Sequence, residues 1–258
     1  MTGTDGSPAD VGALCALAPP VDGTAFLLDI DGTLLDLMPT PDAVVVPPEL
    51  RQTLRRLVEL SSGALALVSG RRLDDIDRIF APDRFAAVGG HGVELRRHGD
   101  GPAVAPRVSA LNEELQRRLK AIAELDPGIV LEDKAYSLAL HYRLVPEMGD
   151  RIAHAVARIC VELRDVPIEV LPGKFVFEVK PAGFNKAGGV RELMAQPPFQ
   201  GRRPLFIGDD VTDECVFAIM PEMNGLAFSV GRQAEGVNGW LGAPRDVREF
   251  LARLAAGR

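Results

Sequence analysis

Cysteine is scarce in this 258-residue chain: Cys15, Cys160 and Cys215 are far apart, odd in number and without CxxC spacing. Neither a disulfide framework nor a structural zinc site is expected, and the thiols read as small core or surface residues of a reducing compartment. Basic runs are missing too. The 29 basic and 36 acidic residues give a formal net charge of -7, and no Lys/Arg stretch is long enough to follow a phosphate backbone, which argues against nucleic acid as a partner. No apolar segment approaches the roughly 20 residues needed to span a bilayer. The N-terminal MTGTDGSPADVGALCALAPPVDG has no basic region, and its apolar part is short and interrupted by proline, unlike a signal peptide. These absences predict a cytoplasmic protein, with no membrane partner, that begins with a loose leader over residues 1–22. There is no internal repeat.

What is present is enough apolar material for a sizeable core, with 47% hydrophobic residues, in one large domain or a core carrying a smaller one. Short apolar runs (AFLLDI, ALALVSG, FAAVGGHG) alternate with amphipathic stretches such as PPELRQTLRRLVELSS. Runs that are apolar throughout and end in polar or Gly-rich turns predict strands covered on both faces, hence an α/β fold with a mainly parallel sheet. Sites in that architecture form beyond the carboxyl ends of strands. From Pro102 to Pro181 the rhythm changes to αββαββ. Ser137, Ala139, His141 and Arg143 fall on one face of a strand, and Phe175, Phe177 and Val179 oppose Lys174, Val176, Glu178 and Lys180. We therefore expect an antiparallel sheet backed by two helices, inserted over 102–181 into a core made of 23–101 and 182–258.

Acid sits where such strands end. In AFLLDIDGTLLD, Asp29 and Asp31 follow a buried run, and paired carboxylates in a buried setting repel unless a cation or a proton intervenes. Mg²⁺, which takes one or two carboxylates together with substrate phosphate, would resolve the conflict and leave one carboxyl for proton transfer. Thr33 offers a hydroxyl and a backbone N–H to an anion. A second cluster, Asp209, Asp210 and Asp213 in LFIGDDVTDE, reads either as a turn with a helix cap at Asp210 or Thr212, or as further metal ligands. Ser69 and Gly70 end a third strand and suit phosphate binding at a helix start, though Ser-Gly is also ordinary turn chemistry. Lys186, in GFNKAGGV, is either a solvated lysine or a phosphate anchor.

In this order, DxDGT, a Ser after the second strand, a downstream Lys and GDDxTDE resemble the haloacid dehalogenase (HAD) superfamily, and the αββαββ insert resembles its larger α/β cap on a Rossmann-like core. VGGHGVELR (88–96) resembles the Gly-x-His-Gly-x-Glu motif of the trehalose-6-phosphate phosphatase family, and EDKAYSLALHYR and GKFVFEVKPAGFNKAGGV resemble its cap strands. Ala187 stands where that family has Gly. The resemblance implies a Mg²⁺-dependent phosphatase acting on a small-molecule sugar phosphate. Asp29 would be the nucleophile and Asp31 the general acid and base, with Asp29, Asp209 and the Asp31 carbonyl as metal ligands. Asp210, Asp213 and Thr33 would support them from behind, and Ser69 and Lys186 would hold the phosphoryl group. Gly70, Arg71, His91, Glu94, Lys134, Lys174 and Glu178 would contact substrate. The alternative for the polar cap face is solvation, with Glu178 paired to Lys180 or Lys174. Cap closure would place hinges near Pro102 and Pro181. A relative acting on sucrose phosphate or a glycosyl-phosphoglycerate is the nearest rival; a non-catalytic regulatory module would lack Asp29, Asp31 or Asp209.

Overall fold

The computed structural model describes residues 8–38, 44–104, 111–173 and 175–257. The chain divides into two compact units, Met1–Ala105 with Asn185–Arg258, and Pro106–Phe184. Among the described residues no helix is long and apolar enough to cross a membrane.

The first unit runs α1 (Val11–Leu17), β1 (Thr24–Leu28), α2 (Pro48–Leu60), β2 (Leu65–Val68), α3 (Leu73–Phe80), β3 (Ala86–Gly89), β4 (Glu94–Arg96) and β5 (Ala103–Val104). The second unit contains α4 (Glu113–Ala123), β6 (Val130–Asp133), β7 (Leu138–His141), α5 (Gly149–Glu162), β8 (Ile168–Gly173) and β9 (Val176–Pro181). The chain then re-enters the first unit with α6 (Lys186–Met194), β10 (Arg203–Gly208), α7 (Glu214–Ile219), β11 (Leu226–Val230), β12 (Gly239–Leu241) and α8 (Pro244–Ala255).

In the first unit the sheet order is β12-β11-β10-β1-β2-β3-β4-β5. Pairing is parallel from β12 to β3 and antiparallel beyond it. Alternation along β1 explains why both faces are buried. Phe26 and Leu28 join Leu54, Leu57, Ile76 and Phe250 in one cluster, whereas Ala25 and Leu27 join Val190, Leu193 and Phe217 in another. The chain leaves β1 for β2 on one side and returns through β10 on the other, so a switch in strand order falls at β1, where open α/β sheets place their sites.

The second unit has the order β6-β7-β9-β8, antiparallel throughout. Leu115, Leu119, Ile152 and Val156 of its helices pack on Leu138, Leu140 and Val179, as period-2 alternation predicts.

The loose leader expected over 1–22 is corrected for residues 8–22. Asp10 caps α1 by accepting the Ala13 N–H at 3.1 Å, and Leu14, 2% exposed, is buried in the same cluster as Phe250 and Leu254 of α8. About two turns of helix with a single buried leucine is too short a pattern to stand out in sequence. Leu14→Ala should therefore lower unfolding stability by about 2–4 kcal/mol, read from denaturant midpoints; a leader that did not pack would leave the midpoint unchanged.

Candidate active site

Neighbouring strands bring the predicted segments to one edge of the sheet. Asp29 follows β1, Ser69 follows β2, His91 lies in the turn after β3, and Asp209 follows β10. Register fixes the first two closely: Asp29 N–H donates to Ile207 O at 2.9 Å and Ser69 N–H to Val88 O at 2.8 Å. Lys186 opens α6, whose cap is the Asn185 side chain accepting from Gly188 N–H at 2.8 Å. Ala187 fits inside this helix without disturbing it. From that first turn the Lys186 ammonium donates to Asp29 Oδ1 and to Asp213 Oδ1, both at 2.7 Å. Asp213 is fully buried, and its other oxygen accepts the Asp209 and Asp210 N–H groups at 3.0 and 3.1 Å. Asp209 accepts the Thr33 hydroxyl at 3.1 Å.

The electrostatics follow from burial. Burial pushes the Asp29 carboxyl well above the usual carboxylate range; Lys186 pulls it down, while Asp213 and Asp209 push it further up. Asp209 is raised to about 6 by burial and by its Asp213 and Asp210 neighbours, against Lys186 and the Thr33 hydrogen bond. Burial pulls the Lys186 ammonium down, but Asp213 and Asp29 outweigh it, so the lysine holds its proton far above the ordinary range. Asp29, Asp209 and Asp213 each offer an oxygen within 4.8 Å of the others. Three carboxylates against one ammonium leave excess negative charge, and an all-oxygen donor set suits a hard divalent cation. Since Lys186 and two backbone amides already engage Asp213, the carboxylates best placed to hold the cation are Asp29 and Asp209, with Asp213 fixing both from behind.

Asp31 and Arg71 form a bidentate pair, Nε to Oδ2 at 2.5 Å and Nη2 to Oδ1 at 2.6 Å. Ser69 Oγ accepts the Arg71 N–H at 3.1 Å, leaving its own O–H to donate.

A family model described as Trehalose-phosphatase matches residues 27–238. The chain belongs to that family. It is 40% identical over 248 residues to a probable trehalose-phosphate phosphatase of Sinorhizobium fredii, covering 94% of this chain and 91% of the relative. It is 35% identical over 230 residues to the trehalose-6-phosphate phosphatase of Escherichia coli, covering 89% and 86%. Its fold is similar to the C-terminal domain of Candida albicans trehalose-6-phosphate phosphatase, with a TM-score of 0.84 at 23% identity over 99% of both chains.

Within this trehalose-phosphatase fold several residues take places other than those expected from sequence. Thr33, offered by sequence either to a bound anion or in support of the acidic cluster, gives its hydroxyl to the Asp209 carboxylate. Asp210 is exposed and caps the turn Val211–Asp213 in a box with Asp213, the structural alternative for that residue. Arg71, expected at substrate, is bound to Asp31. Glu94, expected at the sugar, is buried, and its Oε2 accepts the Leu73 N–H at 2.7 Å at the start of α3. Burial raises its carboxyl, with the Leu73 N–H pulling it back. The His91 ring fills the space that a side chain at position 70 would need. In the second unit Glu178 is bonded by Lys134 at 2.8 Å and by Ser137 at 2.6 Å, while Lys180 donates to Glu169 at 2.7 Å and to Phe184 O. Lys174 lies outside the described residues. Sequence reasoning did not single out Ser137 or the Glu132 carboxylate, which lies 2.9 Å from His141 Nε2; strand alternation, placing Ser137 and His141 on the polar face, was the available signal.

Asp209 yields a pH dependence. Its folded value of about 6 exceeds the free value of 3.8, so in metal-free protein its ionisation opposes folding fully above about pH 6, and the opposition fades as pH falls towards 4. Asp209→Asn should stabilise the metal-free protein by about 1–2 kcal/mol at pH 7.5, with the gain shrinking below pH 6. Added divalent cation should reverse the order. Denaturant melts with and without chelator read all three outcomes.

Proposed function

We propose that this chain is a Mg²⁺-dependent phosphatase hydrolysing trehalose 6-phosphate to trehalose and phosphate in the cytoplasm. The observation carrying the reading is the buried Asp29–Lys186–Asp213 bridge with Asp209 beside it, at the ends of adjacent parallel strands. The substrate rests on the family and on relatives named for that sugar phosphate.

Lys186 holds one Asp29 oxygen and leaves the other for in-line attack on phosphorus. The P–O bond to the sugar breaks, the sugar oxygen takes a proton from Asp31, and Asp29 carries the phosphoryl group. Asp31, now a carboxylate, takes a proton from the water that attacks this aspartyl-phosphate, releasing phosphate and restoring Asp29. Because Arg71 engages both Asp31 oxygens, proton transfer requires one of them to leave the guanidinium. Ser69 O–H and the third N–H of Lys186 are the donors for phosphoryl oxygens. Mg²⁺, held by Asp29, Asp209 and the Asp31 backbone carbonyl, would supply the charge screening that lets an anionic nucleophile approach an anionic phosphate. Lys134 with Glu178, and Lys174, are assigned to the sugar. A carboxylate already held by an ammonium and a hydroxyl presents both donors and acceptors in fixed positions, and a site built on such groups rejects sugars that leave them unpaired.

Phosphate release from trehalose 6-phosphate is expected to require Mg²⁺ and to fall about 10²–10⁴-fold in kcat for Asp31→Asn. Asp29→Asn should reduce it to background. A wild type no faster than Asp29→Asn on any sugar phosphate would make the chain a non-catalytic module. Higher kcat/KM on sucrose phosphate or a glycosyl-phosphoglycerate would move the substrate assignment alone.

A further inference from the structure

The turn Gly89–Glu94 touches both phosphate-handling segments. On one side it is laced to the loop after β2, with His91 N–H donating to Ser69 O at 3.2 Å, Gly90 N–H to Arg71 O at 2.8 Å, and Glu94 accepting from Leu73 N–H at 2.7 Å. On the other side it abuts the start of α6: Gly92 has φ +99, and a Cβ there would overlap the Asn185 carbonyl. His91, at φ 54, is a non-glycine residue in the left-handed region, a conformation that persists only where its surroundings enforce it. Two residues beyond Glu94 on β4, Arg96 is 1% exposed and bonds Asp77, one turn further along α3, at 2.5 and 2.8 Å. Strand β4 thus grips α3 at its first turn and again at its second.

We propose that Glu94 is a positioning residue for phosphoryl transfer: by accepting the Leu73 N–H it fixes the start of α3 and, through the Ser69–Arg72 loop, the Ser69 hydroxyl and the Arg71 guanidinium that holds Asp31. This goes beyond the family resemblance, which put Glu94 at the sugar, and it rests on the phosphatase reading above. Among the described residues no hydrogen bond or ion pair joins Glu94 to Asp29 or Lys186, so its effect would pass through the loop. Leu73 N–H is among the orphan donors at a helix start, and a buried one left unpaired disfavours the conformation that orphans it. Losing the carboxylate lets the loop seek another arrangement.

The test compares Glu94→Ala and Glu94→Gln with wild type at a temperature where circular dichroism shows all three folded. It uses trehalose 6-phosphate turnover and inhibition by orthovanadate, a phosphoryl mimic without a sugar. For Glu94→Ala we expect kcat to fall at least tenfold, KM to change less than threefold, and the vanadate inhibition constant to rise at least tenfold. Glu94→Gln, which keeps an acceptor oxygen for Leu73, should recover the rate to within about threefold of wild type. A raised KM for the sugar phosphate with unchanged vanadate inhibition would place Glu94 at the sugar and overturn the proposal. Should Glu94→Ala not fold, a tenfold loss of kcat in folded Glu94→Gln would overturn it as well. Absence of turnover by the wild type would instead sink the phosphatase reading.

Discussion

Between Asp29 at the end of one strand and Asp213 beyond the end of its neighbour, the Lys186 ammonium donates to both carboxylates from a site almost closed to water. Removing an ammonium and two carboxylates from water costs several kcal/mol per ion unless the geometry returns it. Asp213 also takes two backbone N–H groups on its other oxygen, while Lys186 engages only Oδ1 of Asp29. The single cation cannot balance three acids, so the site carries excess negative charge that a bound divalent cation would offset. Burial first, and then the neighbouring Asp213 and Asp210 carboxylates, raise Asp209 to about 6 from a free value near 4.

The sheet makes this arrangement affordable. Strands β10, β1, β2 and β3 lie side by side and parallel, so their carboxyl ends open onto one edge while their bodies are buried in two apolar clusters. A buried strand ending in carboxylates would be an isolated electrostatic defect; four adjacent ends with complementary groups form a site. The same logic governs the loops. Backbone groups tie these loops together, His91 N–H to Ser69 O, Gly90 N–H to Arg71 O and Arg71 N–H to Ser69 Oγ, so the turns between strands help to place these side chains.

Asp29, Asp31 and Asp209 were legible in sequence because each stands in a motif that follows an apolar run, and strand ends can be read from hydrophobicity alone; Lys186, at a helix start, stood out only through the family resemblance. The αββαββ insert was legible for a similar reason: its strands are one-sided and alternate. What stayed hidden is long range. Nothing in GDDVTDE says that Asp213 faces inward to Lys186 while Asp210 faces out, since both are acids within one turn. Arg71 beside Ser69 looks like an anion binder until β1 is placed next to β2 and Asp31 comes within 2.6 Å. Glu94 and Leu73 are separated by the whole of α3 and β3, and only the antiparallel return of β4 brings them together.

The Gly89–Glu94 turn shows how a motif can bear on a site through the backbone that it holds. A side chain facing a ligand can be exchanged when the ligand changes, because the cost is confined to one contact. A turn that meets Ser69 and Arg71 on one side and Asn185 on the other is constrained from both. In the proposed reaction, altering its backbone would move two groups that converge on one phosphorus, and sub-ångström errors in such convergence cost rate. In the proposed reaction, phosphoryl transfer would therefore constrain these glycines and the buried Glu94 carboxylate, through the backbone they hold, as firmly as it constrains Asp29.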